Sequence, residues 1–499
     1  MSVLEFIDSE VFNPVYQGDV PVIRNPRVDA ICQELQFAIQ NGETIFVYGD
    51  YDMDGLCSVM VWREVLDLMR AKPPAVFKYV SRTHNLDRDI VHQVQATDAR
   101  VVIICDTGSS QEDHHVLSTL QMLGYTTIVI DHHLFVGDYA LECDHRLTFN
   151  AFEERATLDN CDVSGAYASL IVARVLCEKY MGCALAFNAK VFALASMYSD
   201  CVDMSSPMAR ALYSAVCAAN VKGPTFFTAL NKFNYLYGRR LFSFIVAPKI
   251  NGCFRLGRLD VINRVLDAKD RFAMADVAIE LDEIHGEASE RSKALVPMFT
   301  RERIGDIVLC VHEVTDTTRM LNVRNFTGVV AMKIAEQEKA AVVVVVKDNR
   351  VYSGSYRDFY DRELLGTFKL FCTAGGHPAA FGLSFTSLME FRRHLALLSK
   401  QLSDEYEKPY IILNSGMLTS EEDFDALALY NEFMNTKPHV VVSHRVNAPK
   451  LLRSTAFNKY YDVGLPTTKP LMTKRPLIAG ASVLIEPCIT RGVDLREME

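Results

Sequence analysis

The sequence predicts an α/β protein with a parallel-sheet domain under a helical cover, a long helical linker, a smaller α/β domain and a C-terminal extension. Two observations lead to this prediction. Apolar, β-branched runs at 44–50, 101–106 and 126–131 alternate with stretches of helical periodicity, as in a parallel sheet covered by helices. A second alternation of the same kind begins at residue 307. The 499 residues suffice for several domains, because one domain usually takes about 150 residues.

The domain boundaries follow from changes in this pattern. Helical periodicity replaces the strand signal between 164 and 236, and this segment completes the first domain. Residues 258–300 are rich in charge and poor in glycine and proline, which favours long connecting helices. We therefore place the domains at 1–255, 256–305, 306–402 and 403–499.

The second α/β pattern is read in the same way. Its predicted strands lie at 307–314, 340–348 and 350–357, and its predicted helices lie near 326–338, near 361–371 and up to about 402. The pattern after 403 is less regular. A β-rich nucleic-acid-binding module is one interpretation of that region, although no five-strand pattern is clear in it.

Composition limits the classes of function. The chain has 52 Lys and Arg against 62 Asp and Glu, a net charge of −10, which argues against a uniformly basic surface but leaves room for a local basic groove. Apolar runs such as 340–346 are much shorter than the roughly 18 residues of a membrane span, and the N-terminus lacks the pattern of a signal peptide. The thirteen cysteines include no C-x-x-C pair. We expect a cytoplasmic protein without a membrane partner.

Three carboxylates, Asp50, Asp52 and Asp54, stand at alternate positions directly after the first predicted strand. They can converge only if a cation offsets their repulsion. An EF-hand is an alternative, but its twelfth position would need Glu and here is Val61, and the preceding residues predict a strand rather than a helix. A solvated acidic turn is the other alternative.

Further acids follow the next strands. Asp106 ends the second strand and is followed by a glycine turn, while Asp131, His132 and His133 end the third. Parallel strands present their carboxyl ends at one sheet edge, where ligands of such sheets bind. Asp200 follows a later apolar helix and is a further candidate, with Asp203 as a competing choice.

These motifs resemble those of the DHH phosphoesterases, and most closely the RecJ-type single-strand exonucleases. The catalytic-domain matches are VYGDYDMDG (47–55), CDTGSS (105–110), IDHH (130–133), VSGAYASLIVARVL (163–176), SMYSDCVDM (196–204) and IVAPKINGCFRLGR (245–258). SGSYR (353–357) and AGGHPAAFG (374–382) are similar to the two signatures of the DHH-associated domain. The resemblance implies a catalytic DHH domain at 1–255 and a DHH-associated, substrate-binding domain at 306–402.

The resemblance also implies roles for the acidic residues. In the family, the matching positions hold two divalent cations, Mn²⁺ or Mg²⁺; here these positions are Asp52, Asp54, Asp106, His132 and Asp200. Asp106 would bridge the two cations. Asp50 and Asp131 would orient the ligands, and His133 would face the scissile phosphate, so that these three complete the catalytic set. Carboxylates with one imidazole favour the same hard cations, and two such ions suit phosphodiester hydrolysis.

The second domain would hold the substrate. Gly375 and Gly376 permit close approach of backbone amides to an anion, and His377 and Arg357 can add charge-assisted hydrogen bonds, although a structural glycine turn is the alternative. The resemblance adds Ser355, Asn251 and Arg255 as substrate contacts. Arg258 is a weaker candidate because a solvated role suits it nearly as well.

The C-terminal region contains the one strongly basic stretch in this acidic chain. Eight Lys or Arg stand between 437 and 475 against Asp462 alone, together with Phe457, Tyr460 and Tyr461. Such a stretch can attract phosphates and stack bases of a single strand, although an ordinary exposed face is the alternative.

The leading hypothesis is a RecJ-like, metal-dependent exonuclease that removes nucleotides from single-stranded DNA in the 5′ to 3′ direction. Its partners would be single-stranded DNA and single-strand-binding or other replication and repair proteins. One alternative is a phosphodiesterase for short oligonucleotides or cyclic dinucleotides, and another is an inactive replication accessory protein. Tyr48 stands where DHH pyrophosphatases have a metal-binding His, and Phe254 and Ala374 replace glycines of the RecJ-type signatures.

Overall fold

In a computed structural model the described part of the chain forms three sheets with their helices. The structure describes residues 22–69, 86, 88–110, 113–133, 147–158, 161–217, 219, 221, 223–232, 237–268, 270–315, 322–377, 379–402, 410–414, 418, 421–434, 439–445, 450–452, 458–461, 471–473, 482–486 and 493–497. The described residues up to 247 and those from 410 onward belong to one compact unit. Those from 248 to 402 belong to a second unit.

The first sheet has four parallel strands in sequential order. They are β1 (Thr44–Gly49), β2 (Ala99–Cys105), β3 (Thr126–Asp131) and β4 (Thr148–Asn150). All six residues of β1 are buried, as are nearly all residues of β2 and β3, which explains their continuous apolar sequence. The predicted α/β class with a parallel sheet is therefore confirmed.

Helices surround this sheet and continue after β4. They are α1 (Pro26–Gln40), α2 (Met53–Leu68), α3 (Asp89–Gln95), α4 (His114–Met122), α5 (Gly165–Val175), α6 (Phe187–Ser199), α7 (Pro207–Cys217), α8 (Thr225–Leu230) and α9 (Arg239–Leu241). Helix α2 packs against β1, α5 and α6, and α4 packs against β3. Gly49 and Gly55 make the turn between β1 and α2 tight, since a Cβ on either would overlap neighbouring backbone.

The second unit begins with helices and continues into a six-stranded sheet in the order β5-β6-β7-β8-β10-β9. Its helices are α10 (Ala247–Leu256), α11 (Leu259–Asp267), α12 (Arg271–Leu295), α13 (Thr327–Glu338), α14 (Leu365–Phe368) and α15 (Leu388–Ser399). Its strands are β5 (Thr300–Ile304), β6 (Ile307–Glu313), β7 (Ala341–Asp348), β8 (Val351–Asp358), β9 (Thr373–His377) and β10 (Ala380–Phe385). Alternate valines of β7 face two separate cores, one with α12 and α13 and the other with α15.

The C-terminal part forms a mixed sheet of seven described strands and one helix. These are β11 (Tyr410–Asn414), α16 (Glu421–Phe433), β12 (His439–Arg445), β13 (Lys450–Leu452), β14 (Asn458–Tyr461), β15 (Leu471–Thr473), β16 (Ser482–Glu486) and β17 (Val493–Glu497). The region is β-rich. The side chains of the basic stretch at 437–475, with Phe457, Tyr460 and Tyr461, lie outside the described residues.

Helix α16 joins this region to the helices that follow the first sheet. The Tyr198 hydroxyl donates to the carbonyl oxygen of Phe433 at 2.8 Å, and the rings of Tyr213 and Phe433 meet edge to face at 4.7 Å. The Arg240 amide donates to Oε1 of Glu432 at 2.6 Å. These contacts make α16 part of the first compact unit. Among the described residues, no helix combines the length and the apolar character needed to cross a membrane.

Glu432 gives a pH-dependent prediction. Burial raises its pKa to about 7, although the Arg240 amide opposes the rise. The pKa of Glu432 in the folded state exceeds the ordinary value of 4.5, so protonation of this carboxyl group stabilises the folded protein at low pH. This contribution to the free energy of unfolding is lost as the pH rises through 7. At pH 8 we expect Glu432→Gln to have a free energy of unfolding about 1–3 kcal/mol higher than that of the wild type, and so to unfold at a higher urea concentration. This difference should shrink toward pH 5.

Urea titrations at pH 5, 6, 7 and 8 measure this difference. Glu422, which is exposed on the same helix, provides the matched control, and Glu422→Gln should change the free energy of unfolding little. A Glu432→Gln difference that is constant over this range would contradict the assignment of the titrating proton to Glu432.

Candidate metal centre

The carboxyl ends of the first three strands bring three acids to one edge of the sheet. Asp50 and Asp106 directly follow β1 and β2, and Asp131 is the last residue of β3. The Asp50 amide donates to the carbonyl oxygen of Cys105 at 3.2 Å, and the Asp106 amide donates to that of Ile130 at 2.9 Å. The sheet ladder therefore continues into these residues and fixes them side by side.

Asp106 has a left-handed backbone, with φ of 61°. This region is strained for most residues with a side chain but is tolerated by Asp and Asn. Gly165, the first residue of α5, lies so close that a Cβ there would come within 2.6 Å of the Asp106 carboxylate. The strained backbone and the tight packing together fix the direction of this side chain.

Two helix N-termini hold the acids of the first motif. Asp52 caps α2, and its Oδ1 accepts from the amides of Asp54 at 2.8 Å and Gly55 at 3.0 Å. Asp54 accepts at both oxygens from the start of α5, from the Gly165 amide at 2.7 Å and the Ala166 amide at 2.8 Å. The positive end of a helix dipole thus stabilises the buried Asp54 carboxylate.

His132 lies among three carboxylates from three separate segments. Its Nε2 is 3.0 Å from Oδ1 of Asp106, 3.4 Å from Oδ2 of Asp200 and 3.7 Å from Oδ2 of Asp54. Asp200 follows the last residue of α6 and so reaches the sheet edge from the helical cover. The sequence alternative, Asp203, is exposed, and its two oxygens accept from the amide and the hydroxyl of Ser205.

The crowding of these acids changes their ionisation. Burial, and then the charges of Asp54, Asp52 and Asp200, raise the pKa of Asp106 well above its ordinary value. Burial and the charges of Asp200 and Asp52 likewise raise the pKa of Asp54, against the opposing effect of the α5 amides. Several carboxylates in one buried space cannot all ionise unless a cation compensates their charge.

Asp131 and His133 form a second arrangement at the same edge. Nδ1 of His133 lies 2.8 Å from Oδ1 of Asp131. Burial alone would lower the pKa of His133, but the Asp131 charge and hydrogen bond raise it to about 10. The pKa of Asp131 is correspondingly held well below its ordinary value, because His133 outweighs the effect of burial. The His133 side chain remains 39% exposed, so its ring is accessible from outside.

The residues at this edge suit a divalent cation. Ligand atoms lie within 4.8 Å of one another in three overlapping sets, namely Asp54, His132 and Asp200; Asp50, Asp52 and Asp106; and Asp106, Asp131, His132 and His133. Oδ1 of Asp106 is buried and accepts no hydrogen bond within the described part of the chain, although His132 is close. A buried carboxylate oxygen in this state fits a metal ligand, and the oxygen-rich set fits Mn²⁺ or Mg²⁺.

Four of the predicted substrate-binding residues of the second unit lie on one face of its sheet. Ser355 and Gly375 both pair with Gly382, and Arg357 and His377 both pair with Ala380. Directly paired residues of antiparallel strands share a face, so these four residues line one surface, and the small residues of β10 lie between them. The segment Thr373–His377 is therefore an edge strand and not the structural glycine turn that was the alternative in the sequence analysis. Within it, Gly376 has φ of 126°.

The start of α13 lies beside this surface. Thr327 and Ser355 share a hydrogen bond between their hydroxyls at 2.9 Å, and a Cβ on Gly328 would come within 2.9 Å of an Arg357 nitrogen. Asn325 donates to the carbonyl oxygen of Arg255 at 3.2 Å, which brings the end of α10 to the same place. Asn251 lies one turn earlier on α10, at a position that shares a helix face with Arg255.

Sequence reasoning missed the backbone amides of Gly165 and Ala166, which bind Asp54. A backbone donor leaves no side-chain signal, but the Ser-Gly pair at 164–165 before an apolar run marks a helix N-terminus, which is a site for anions. Ser109 was missed as well; its amide donates to Oδ2 of Asp131 at 3.1 Å. These contacts orient the carboxylates rather than binding a ligand directly.

The chain is similar to known proteins in sequence. Residues 44–216 match the model of the DHH family, N-terminal domain. The chain is 22% identical over 450 residues to the single-stranded-DNA-specific exonuclease RecJ of Bacillus subtilis. That alignment covers 83% of this chain but 54% of the relative, so the chain spans about half of the relative's length.

Solved structures show the same fold. RecJ from Thermus thermophilus in complex with Mn²⁺ superposes with a TM-score of 0.72 at 16% identity, over 97% of this chain and 74% of that one. A structure of exonuclease RecJ bound to manganese gives a TM-score of 0.56 at 19% identity, over 77% of this chain and 96% of that one.

Proposed function

We propose that the chain, whose residues 44–216 match the model of the DHH family, N-terminal domain, is a metal-dependent phosphodiesterase. It would remove nucleotides from single-stranded DNA, as a RecJ-like exonuclease acting from 5′ to 3′. We place this activity in DNA repair and recombination, in the cytoplasm. The convergence of His132 on carboxylates from three separate segments carries the proposal. The sequence likeness to a single-strand-specific exonuclease supports the choice of substrate.

We assign the metal-holding role to five residues: Asp52, Asp54, Asp106, His132 and Asp200. Two bound divalent cations would activate a water molecule and neutralise the charge on the phosphate and the leaving oxygen. Asp106 belongs both to the set of ligand atoms that contains Asp52 and to the set that contains His132 and His133. This shared membership suits Asp106 to a position that bridges two cations. The α5 amides hold Asp54 in one orientation, and we assign Asp50, together with Asp131, to orienting the ligands.

His133 provides a positive hydrogen-bond donor at the rim of the metal centre. The Asp131 carboxylate fixes Nδ1 and favours the charged imidazolium, which leaves Nε2 available to the partly exposed side. We assign His133 to the scissile phosphate, where a cationic donor stabilises the negative charge that develops in the transition state.

The surface of β8, β9 and β10 in the second unit is the proposed binding site for the sugar-phosphate backbone. Arg357 and His377 offer charged donors, and Gly375 and Gly382 leave space between them for a phosphate. Ser355 and Arg255 adjoin the start of α13, whose N-terminus favours an anion. Asn251 and Gly376 complete the proposed set.

Arg357 gives a prediction for this surface. We expect Arg357→Ala to raise KM for a single strand by about tenfold, because a charged hydrogen bond to phosphate contributes on the order of 1.5–3 kcal/mol. Arg350, exposed in the preceding hairpin turn, is the matched control, and Arg350→Ala should leave KM unchanged. Equal effects of the two substitutions, measured at low and physiological salt, would indicate a nonspecific loss of charge.

A hydrolysis assay tests the proposed function as a whole. The full chain is incubated with end-labelled single strands, duplexes, RNA or a dinucleotide, each with Mn²⁺, Mg²⁺ or EDTA. We expect metal-dependent release of mononucleotides from single-stranded DNA and faster degradation when the 5′ end is accessible. Cleavage of only the dinucleotide would favour a phosphodiesterase for short substrates. Absence of metal binding, measured by calorimetry, would favour a noncatalytic accessory protein.

A further inference from the structure

We propose that Asn150 is a positioning residue that holds His133 in its working orientation, an inference that rests on the proposed function of this site. Asn150 is the last residue of β4 and pairs in register with Asp131 on β3. The Ala151 amide donates to the carbonyl oxygen of Asp131 at 2.8 Å, which continues the strand pairing by one step. The edge strand thereby brings the Asn150 side chain beside the DHH turn.

The Asn150 amide connects the second and third motifs. Its Nδ2 donates to the carbonyl oxygen of His133 at 3.1 Å and to the hydroxyl oxygen of Ser109 at 2.8 Å. Ser109 in turn donates from its backbone amide to Asp131, which binds the ring of His133. Asn150, Ser109, Asp131 and His133 therefore form a closed circuit of hydrogen bonds that includes Nδ1 of the imidazole and the backbone carbonyl of His133.

The other end of the Asn150 side chain is also fixed. Its Oδ1 accepts from the amides of Phe152 at 2.9 Å and Glu153 at 3.2 Å. The side chain thus uses both donor hydrogens and both acceptor lone pairs, and it is 1% exposed. A carbonyl on one side and two amides on the other permit only one orientation of the group, so Asn150 acts as a rigid link.

This arrangement requires an amide at position 150. Aspartate could still accept from Phe152 and Glu153, and so would keep the turn, but it has no hydrogen to donate to His133. It would instead place an oxygen against the His133 carbonyl oxygen. Asn150→Asp therefore removes the hydrogen bond to His133 and keeps those from Phe152 and Glu153, while Asn150→Ala removes all three.

A matched control exists at the start of α1. Asn25 is 4% exposed, donates from Nδ2 to Glu154 at 2.8 Å, and accepts at Oδ1 from the amides of Arg27 and Val28. It therefore has the same chemistry as Asn150 without contacting either motif. Asn25→Ala should lower stability without changing the behaviour of His133.

The first measurement uses Mn²⁺-loaded protein and a single-stranded DNA substrate. We expect Asn150→Ala and Asn150→Asp to lower kcat by about 10- to 100-fold with KM changed less than about threefold, as for residues that orient catalytic groups. In a His133→Ala background the same substitutions should cost less than about threefold, because the group they position is absent. A purely structural role for Asn150 would give fully additive losses, which would overturn the proposal.

The second measurement needs no hydrolysis. Metal-free protein is treated with diethyl pyrocarbonate, and modification of His133 is followed by fragment-ion mass spectrometry. We expect modification at least several-fold faster in Asn150→Ala, which adds no charge beside the imidazole, than in the wild type, and an unchanged rate in Asn25→Ala. If the wild type cleaves no phosphodiester, the proposed function fails, but a changed rate still supports the positioning role. An unchanged rate in Asn150→Ala overturns it.

Discussion

Asp106→Asn is expected to remove hydrolytic activity and at the same time to raise the thermal stability of the metal-free protein. Loss of the central carboxylate deprives the cations of a charged ligand worth several kcal/mol, so we expect kcat to fall about a thousandfold or more. Asparagine tolerates the left-handed backbone at this position, so the fold should persist.

Asp106→Asn should stabilise the metal-free protein although it removes activity, because the buried carboxylates repel one another when no cation is bound. Burial and neighbouring carboxylates raise the pKa of Asp106, so its favourable contribution as a protonated group is lost as the pH rises. The gain in melting temperature of Asp106→Asn over the wild type in EDTA should therefore be larger at pH 8 than at pH 5. Addition of Mn²⁺ should stabilise the wild type more than the variant.

Calorimetry in EDTA and in Mn²⁺, together with the hydrolysis assay, measures these effects. Asp203→Asn is the matched control. This carboxylate is exposed and bonds to Ser205, and its substitution should change activity less than about twofold. Full activity in Asp106→Asn, or equal loss in both variants, would contradict the assignment of Asp106 to the metals.

Gly165→Ala is expected to damage the metal centre although glycine itself contributes no ligand. The new Cβ would lie 2.6 Å from Cβ and Oδ1 of Asp106, so either the carboxylate or the start of α5 must move. Movement of α5 would also displace the amides that bind Asp54. We expect about 1–3 kcal/mol of destabilisation and roughly a 100-fold loss of kcat, since a 1 Å displacement of a reacting group can cost that much.

Urea unfolding, Mn²⁺ calorimetry and kcat test this prediction. Gly286 provides the control because it lies within α12 with open space where a Cβ would be. Gly286→Ala should stabilise the protein by about 0.5–1 kcal/mol and leave kcat unchanged. A Gly165→Ala variant with normal Mn²⁺ affinity and activity would show that the space beside Asp106 is not essential.

The position of the site could be predicted from the sequence because each apolar run typical of a buried parallel strand ends in a polar residue. Asp50, Asp106 and Asp131 could be assigned to one edge because parallel strands present their carboxyl ends together. The sequence pattern alone could not distinguish Asp200 from Asp203. Both follow the end of the same helix, and tertiary packing decides which of the two carboxylates reaches the sheet edge. Only the distance from His132 separates the two.

Other features left no sequence signal. Strand β4 has three residues and lacks an apolar run, so the partner of Asp131 could not be predicted. The strand at Thr373–His377 has glycines that are typical of turns, and it forms because β10 supplies a pairing edge. The Gly165 and Ala166 amides are backbone groups common to every residue, so their role follows from where α5 begins.

The docking of α16 bears on the order in which the chain can acquire its structure during synthesis. The hydroxyl of Tyr198 and the carbonyl of Phe433 are 235 residues apart in sequence. At roughly 5–20 residues per second, a ribosome needs on the order of 10–50 s to make the intervening chain. The helix that ends at Ser199 therefore emerges long before its partner, and residues 248–402 of the second unit are produced between them. We expect the described part of the second unit to fold before α16 leaves the exit tunnel, and the first unit to be completed only afterwards.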